Sequence, residues 1–333
     1  MVDVLDVRGV TRIFDVSRPL VARTLAGNGK RLLRAVDDVS FAIAAGTTMA
    51  LVGESGCGKS TLARLAVGLQ TPSAGEIRFE GQPLSAARGE VAMRRRMNMI
   101  FQDPYASLNP RWRVDDIIAE PIRTFRLAET RAAIAGRVAS LLGQVGLAAS
   151  DGQKYPHQFS GGQRQRISIA RALASAPEFL VCDEPTSALD VSVQAQILNL
   201  MKDLQAQLGL TYLFISHNLA VVRHMADRLG VMYLGRIVEQ GPAEAIFASP
   251  SHPYTRLLLA AVPSLDISGR DRTGKGGAGI GGEVPSPIDP PPGCTFHPRC
   301  PLADARCRTE RPEPIIAGAI LVACHAVQEG RDG

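Results

Sequence analysis

The sequence contains no uninterrupted apolar run of about 18 residues, the length a membrane-crossing helix needs, so no transmembrane helix is expected. The start, Met1-Val2-Asp3-Val4, lacks a basic head and an apolar stretch, so no secretory signal is expected. Without export, the six cysteines are expected to be reduced rather than paired in disulfides. Paired C-x2-C spacing is missing, which sets aside the common zinc modules. Neither charge sign dominates: 37 Lys and Arg face 32 Asp and Glu, a net charge of +5. The densest basic cluster, Arg94-Arg95-Arg96, reads as a solvated face, and no nucleic-acid partner is expected. Aromatics make up only 5% of the chain, and no internal repeat is present. What remains is a 333-residue chain, 45% hydrophobic, long enough for more than one average domain and a large core.

The most informative stretch is Gly53-Glu54-Ser55-Gly56-Cys57-Gly58-Lys59-Ser60-Thr61. It follows an apolar run, Thr48 to Val52, and precedes a helical pattern beginning at Leu62. Strand, glycine-rich turn and helix in that order are the context of a phosphate-binding loop. Glycines let backbone N–H groups turn inward on a polyphosphate, and the following helix points its positive end the same way. Lys59 is placed to reach the β and γ phosphates. The Ser60 hydroxyl is placed to hold Mg²⁺, a cation that needs few protein ligands.

Two further apolar strands end in polar residues. Phe179-Leu180-Val181-Cys182 runs into Asp183-Glu184, and Tyr212-Leu213-Phe214-Ile215 into Ser216-His217. Parallel strands deliver their C-terminal ends to one crevice. Asp183 is suited to the Mg²⁺ shell, and Glu184 to polarising an attacking water. Ser160-Gly161-Gly162-Gln163 opens a helix, a polar glycine-rich terminus that suits a phosphate.

Elsewhere, residues 2–14, Val39 to Ile43 and Glu76 to Glu80 alternate apolar with polar and predict antiparallel strands with one solvated face. Ser17–Arg34 predicts a loop, 111–150 a helical region, Ser192–Gln207 an amphipathic helix capped at Gly209, and Val231–Glu239 a hairpin. Phe14 closes the first strand pair. By itself it fits adenine stacking and ordinary core packing equally. Residues 263–292 are rich in glycine, proline and serine, the composition of a mobile linker. Cys294, Cys300, Cys307 and Cys324 follow, separated by 5, 6 and 16 residues, and four thiolates suit a [4Fe–4S] cluster or zinc. Their alternative is a small folded tail of reduced cysteines, with His297 and His325 outside any ligand set. Cys57 and Cys182 read as packing residues.

Taken in order, these pieces resemble the ATP-binding subunits of ABC transporters. The resemblance is carried by the phosphate loop Gly53–Thr61, Gln102, the signature Ser160-Gly161-Gly162-Gln163, Asp183-Glu184, the Ser187-Ala188-Leu189-Asp190 loop and His217. A finer resemblance, to the ATPases of bacterial dipeptide and oligopeptide importers, rests on Phe101 to Arg111, Tyr155-Pro156-His157-Gln158-Phe159, His252-Pro253-Tyr254-Thr255, Gly282 to Pro287 and Pro292 to Pro301. The chain looks most like the second of the two ATPases in such systems. Asn218 departs from the aspartate usual after the switch histidine.

The resemblance implies an α/β fold, a P-loop NTPase of ABC type. Its parts would be a mixed sheet core, an antiparallel β subdomain, an inserted helical subdomain over about 103–175 and a small Cys-containing C-terminal extension. The implied boundaries are a nucleotide-binding domain over 1–255, a linker over 256–292 and an extension over 293–333. It implies ATP and Mg²⁺ as cofactors and favours the iron–sulfur cluster over zinc in the tail. It implies that Phe14 stacks adenine, that Gln102 links Mg²⁺ to the membrane subunit, and that His217 contacts the γ-phosphate. The signature and Asp190 would face the phosphate loop of a partner, so one chain supplies half of each of two sites. The implied partners are a second homologous ATPase, two transmembrane permeases and an extracytoplasmic peptide-binding protein, at the cytoplasmic face of a bacterial inner membrane. Related systems also carry nickel chelates and glutathione. A non-transport ABC ATPase would bring paired cassettes, coiled-coil insertions or nucleic-acid arms, and this chain has one cassette and none of these. A module that holds ATP without hydrolysing it would not need Glu184 and His217.

Overall fold

The computed structural model describes residues 3–17, 30–84, 91–261 and 283–331. Most of the expected loop 17–34, most of the expected linker and Gly282 lie outside the described residues. The strands are β1 (Asp3–Asp15), β2 (Leu32–Ala44), β3 (Thr48–Val52), β4 (Ala74–Phe79), β5 (Gln82–Pro83), β6 (Met97–Ile100), β7 (Phe179–Asp183), β8 (Thr211–Ile215), β9 (Arg228–Tyr233), β10 (Arg236–Pro242), β11 (Ile315–Ala317) and β12 (Ile320–Val322). They form a four-stranded sheet, β2-β1-β4-β5, and an eight-stranded sheet, β11-β12-β10-β9-β3-β8-β7-β6.

The small sheet is antiparallel, with Phe14 opposite Leu33 at one end of the β1–β2 ladder. Alternation buries Leu5 and Val7 of β1 and Val39, Phe41 and Ile43 of β2, and Val4 and Val10 are buried where the ladder shifts register. At the centre of the large sheet, β9, β3, β8, β7 and β6 run parallel. The central strands are largely apolar and buried because helices or the small sheet cover both faces. Met49 and Leu51 of β3, Phe179 and Val181 of β7, and Leu213 and Ile215 of β8 point into a core shared with the small sheet and the helix Lys59–Ala66. The alternate residues, Ala50, Val52, Leu180, Cys182, Tyr212 and Phe214, point into a second core with the helices Val114–Thr124, Gly161–Leu173 and Val191–Leu208. Burying one such Leu or Phe contributes about 1.5–3 kcal/mol.

The expected helical region 111–150 is two helices, Val114–Thr124 and Arg131–Gln144, followed by a 3-10 turn at Ala149–Gln153. The chain breaks where Arg126 takes a left-handed φ of 54°, and Thr130 restarts it by accepting the Ala133 N–H at 3.1 Å. The amphipathic helix spans Val191–Leu208 and ends at left-handed Gly209; its buried face is Ile197, Leu198, Met201 and Leu204, while Leu208 is exposed. The β9–β10 hairpin turns on Leu234 and Gly235, both at positive φ, the geometry of a tight two-residue turn.

The C-terminal hairpin continues the central sheet: β12 pairs with β10 through Glu239–Val322 and Gln240–Leu321, and β11 pairs with β12. This docking brings the tail against the end of β9 and the helix Pro253–Ala260. That helix is capped by His252, whose Nδ1 accepts the Tyr254 N–H at 3.0 Å. Burial, with Arg256 adding to it, pushes the His252 imidazole down to about 3. The folded protein therefore resists a proton that the unfolded chain takes up near pH 6.5. The resulting stability is fully present above about pH 6.5 and is lost as pH falls toward 3, at about 1.4 kcal/mol per pH unit. Melting temperature against pH is expected to fall across that window. It is expected to flatten in His252→Asn, which keeps a capping side chain without the titration. An identical slope in the variant would rule the histidine out as its source.

Candidate functional site

The loop after β3 is shaped by glycines that no other residue could replace. A Cβ on Gly53 (φ 151°) would lie 2.1 Å from the Met232 carbonyl oxygen, and one on Gly58 (φ 110°) 2.0 Å from that of Ala35. The loop is thus wedged between the ends of β9 and β2, and it enters the helix Lys59–Ala66 directly. Lys59 is 6% exposed, and its Nζ donates to the Gly53 carbonyl at 2.7 Å and the Glu54 carbonyl at 2.9 Å. The ammonium thereby spans the loop it would share with a phosphate.

Adjacent parallel strands bring the acidic residues to the same end of the sheet. Ser60 Oγ donates to Asp183 Oδ1 at 3.0 Å. Asp183 is buried, and burial raises its carboxyl above the usual range, the Ser60 hydrogen bond only partly offsetting this. A raised carboxyl beside a hydroxyl, with Gln102 on the wall of the same cleft as Ser60, is an oxygen-bearing set that fits Mg²⁺, whose charge would favour the ionised form. Glu184 adopts φ 47°, a left-handed conformation disfavoured for a side chain and held by its N–H bond to the Ile215 carbonyl at 2.9 Å. The strain aims the carboxylate between two partners: Gln102 Nε2 donates to Oε2 at 2.9 Å, and His217 Nδ1 lies 3.0 Å from Oε1.

Most of these groups line an open cleft of about 710 Å³. Ser55, Gly56, Gly58, Lys59, Ser60, Thr61, Gln102, Glu184, His217 and Phe14 are on its wall. Gly53, Glu54, Cys57 and Asp183 are not; Asp183 lies behind the wall and reaches it through its bond to Ser60, and Cys57 faces the core, where burial pushes its thiol up. The signature is also elsewhere. Ser160 caps the helix Gly161–Leu173, accepting the Gln163 N–H at 3.3 Å, and it is exposed, as is Asp190 at the start of Val191–Leu208. Sequence reasoning missed Leu33, Ala35 and Pro287, which also line the cleft, and Arg299, which reaches Glu54 from the C-terminal region. The tail motifs were visible as stretches but carried no sign of which side chain touches the site.

The expected cluster on Cys294, Cys300, Cys307 and Cys324 is not supported. Among the described residues, no group of three or more His, Cys, Asp or Glu side chains is placed to hold a metal ion. The thiols lie near enough to raise one another's pKa, but burial is the larger cause, pushing Cys294 up to about 12 and Cys300 up to about 11. Cys294 and Cys300 pack on the second core, and Cys324 sits in a small core with Val322 and Ala326.

Comparison with known proteins places the chain as a whole. The profile of the ABC transporter family matches residues 36–187, and that of the oligopeptide/dipeptide transporter C-terminal region matches 238–307. The chain is 49% identical over 331 residues, 99% of each chain, to a di/tripeptide transport ATP-binding protein of Pseudomonas aeruginosa. It is 48% identical to the dipeptide transport ATP-binding protein DppF of Escherichia coli, over 90% of this chain and 89% of the relative. It is 46% identical to the oligopeptide transport ATP-binding protein AppF of Bacillus subtilis, over 97% of each. Among solved structures, the dimeric post-hydrolysis state of the ATP-binding cassette MJ0796 with ADP and Pi superposes at a TM-score of 0.62, with 25% identity, over 72% of this chain and 98% of that one. The cbiO1 protein of Clostridium perfringens, part of the ABC transporter complex cbiONQ, superposes at 0.63, with 28% identity, over 75% and 92%.

Proposed function

This chain belongs to the ABC transporter family, among the ATP-binding subunits of dipeptide and oligopeptide importers, and from that premise we propose how its own residues hold and hydrolyse ATP. Lys59 and the loop N–H groups bind the β and γ phosphates. Ser60, Asp183 and Gln102 hold Mg²⁺, which when bound offsets phosphate charge during transfer. Glu184 orients and polarises the attacking water, and His217, held beside it, contacts the γ-phosphate. Phe14 takes the adenine face. The observation that carries the reading is the meeting of Lys59, the Ser60–Asp183 pair and the Gln102–Glu184–His217 cluster at neighbouring strand ends around one cleft.

Ser160, Gly161, Gly162, Gln163 and Asp190 lie outside this cleft, which supports a site completed by a homologous ATPase. ATP then sits between the phosphate loop of one subunit and the signature of the other, and its hydrolysis lets the pair reopen. Gln102 joins the cleft to a surface where Phe101, Tyr105 and Trp112, the sole tryptophan, are exposed. Exposed aromatics, scarce in this chain, support contact with a permease subunit. The described residues include no helix long and apolar enough to cross a membrane, which fits a peripheral subunit on the cytoplasmic face of an inner membrane, working with two permeases and an extracytoplasmic peptide-binding protein.

The test is binding of a fluorescent ATP analogue to the assembled transporter with and without Mg²⁺. Saturable, Mg²⁺-strengthened binding is expected, and its absence would sink the reading. Replacing Ser160 with Arg should leave nucleotide binding in this chain's own cleft within about twofold and yet block nucleotide-driven closure with the partner, since it puts a bulky side chain at the exposed helix start. Normal closure in that variant would remove the signature from the proposed shared site.

A further inference from the structure

The phosphate loop is braced from behind by the far end of the chain. Arg299 makes a two-pronged ion pair with Glu54, Nη1 to Oε2 at 2.7 Å and Nη2 to Oε1 at 2.9 Å, across 245 residues of sequence. Its side chain is 4% exposed. The other polar groups of Glu54 are also engaged: its N–H donates to the Tyr254 hydroxyl at 2.9 Å, and its carbonyl accepts from Lys59 Nζ at 2.9 Å. Around this point Tyr233, Tyr254 and Phe296 pack with centroids 4.7, 5.2 and 5.3 Å apart. The Tyr233 hydroxyl lies 3.4 Å from Arg299 Nη1. One aromatic cluster thus ties β9, the helix Pro253–Ala260 and the C-terminal region to the second residue of the loop.

A carboxylate on a phosphate-binding loop works against its ligand, since like charges repel more strongly away from bulk water. The Arg299 fork neutralises Glu54 and holds it off the cleft wall. It also holds the carbonyl that receives Lys59, so it sets where the ammonium rests. Pro287, from the same C-terminal region, also lines the cleft.

We propose that Arg299 is a positioning residue for nucleotide binding, acting through Glu54 to brace the phosphate loop and to cancel a carboxylate that would otherwise oppose the polyphosphate. The proposal rests on the cleft being the ATP site. A planar guanidinium suits the task because it meets both carboxylate oxygens at once, which a lysine ammonium cannot do.

The test uses the full chain assembled with its transporter partners, reading ATPase KM and kcat separately and the dissociation constant of a fluorescent ATP analogue. Arg299→Gln is expected to raise KM and the dissociation constant about tenfold while kcat stays within about twofold. The double variant Glu54→Gln with Arg299→Gln, which removes the stranded carboxylate as well, is expected to recover most of that loss. A purely structural role predicts the opposite pattern: a lower melting temperature, unchanged KM in the surviving fraction, and a double variant at least as impaired as the single one. Either an unchanged KM or an additive double variant would overturn the proposal. Should Arg299→Gln not fold, Arg299→Lys carries the test, with KM raised about threefold expected and an unchanged KM overturning it. Lys59→Ala separates the two readings. If it abolishes binding while Arg299 variants bind normally, only the brace fails; if it binds normally too, the cleft assignment fails.

Discussion

Glu184→Gln is expected to lower ATP turnover about 10²–10⁴-fold while leaving ATP bound and the paired subunits closed. The substitution keeps the size of the side chain and one oxygen acceptor, so either the Gln102 contact on Oε2 or the His217 contact on Oε1 can persist. It removes the negative charge that polarises water. Glutamine also meets the same φ of 47° as the native residue, so no new backbone strain is added. Phosphate release reports the turnover, and size-exclusion chromatography with Mg-ATP reports the trapped pair. Hydrolysis at the native rate would remove Glu184 from the chemistry, and a variant that failed to retain ATP would show that it binds rather than catalyses.

Replacing Lys59 with Ala is expected to abolish uptake and to weaken ATP binding by at least about tenfold, the scale of a charged hydrogen bond worth about 1.5–3 kcal/mol. The sharper measurement is thermal. A ligand at about 100 times its dissociation constant stabilises the folded state by about 2.7 kcal/mol, so Mg-ATP should raise the melting temperature of the native protein by several degrees. In Lys59→Ala that increment should largely vanish. The variant without nucleotide should also melt earlier, because the Gly53 and Glu54 carbonyls lose their buried donor. An unchanged ATP increment, or intact uptake, would contradict the assignment of the cleft.

Some parts of this molecule were readable because their signals are local. The phosphate loop is a run of nine residues between a strand and a helix, and the strands ending at Asp183 and Ile215 are continuous apolar runs bounded by polar residues. Order along the chain, together with the rule that parallel strand ends converge, placed Lys59, Asp183, Glu184 and His217 together. The cluster expected in the tail finds no support, for the opposite reason. Four cysteines in sequence imply proximity, but ligation depends on where backbone and burial aim each thiol, and here the small core around Val322 and the packing of Cys294 and Cys300 set that direction. The break between Val114–Thr124 and Arg131–Gln144 was hidden because apolar residues keep helical spacing on both sides of it.

The residues alone pointed to the proposed chemistry: a polyphosphate cradle and a carboxylate for water, each carried by a short motif, and a cation site drawn from three separate motifs at Ser60, Gln102 and Asp183. Tertiary structure alone decided how those pieces are held. The left-handed turn at Glu184, the exposure of Ser160 away from the cleft and the union of Arg299 with Glu54 all depend on elements far apart in the chain. Such contacts leave no periodic or local trace, because they arise only once the buried strands have stacked in the order β9-β3-β8-β7 and the C-terminal hairpin has closed on their edge.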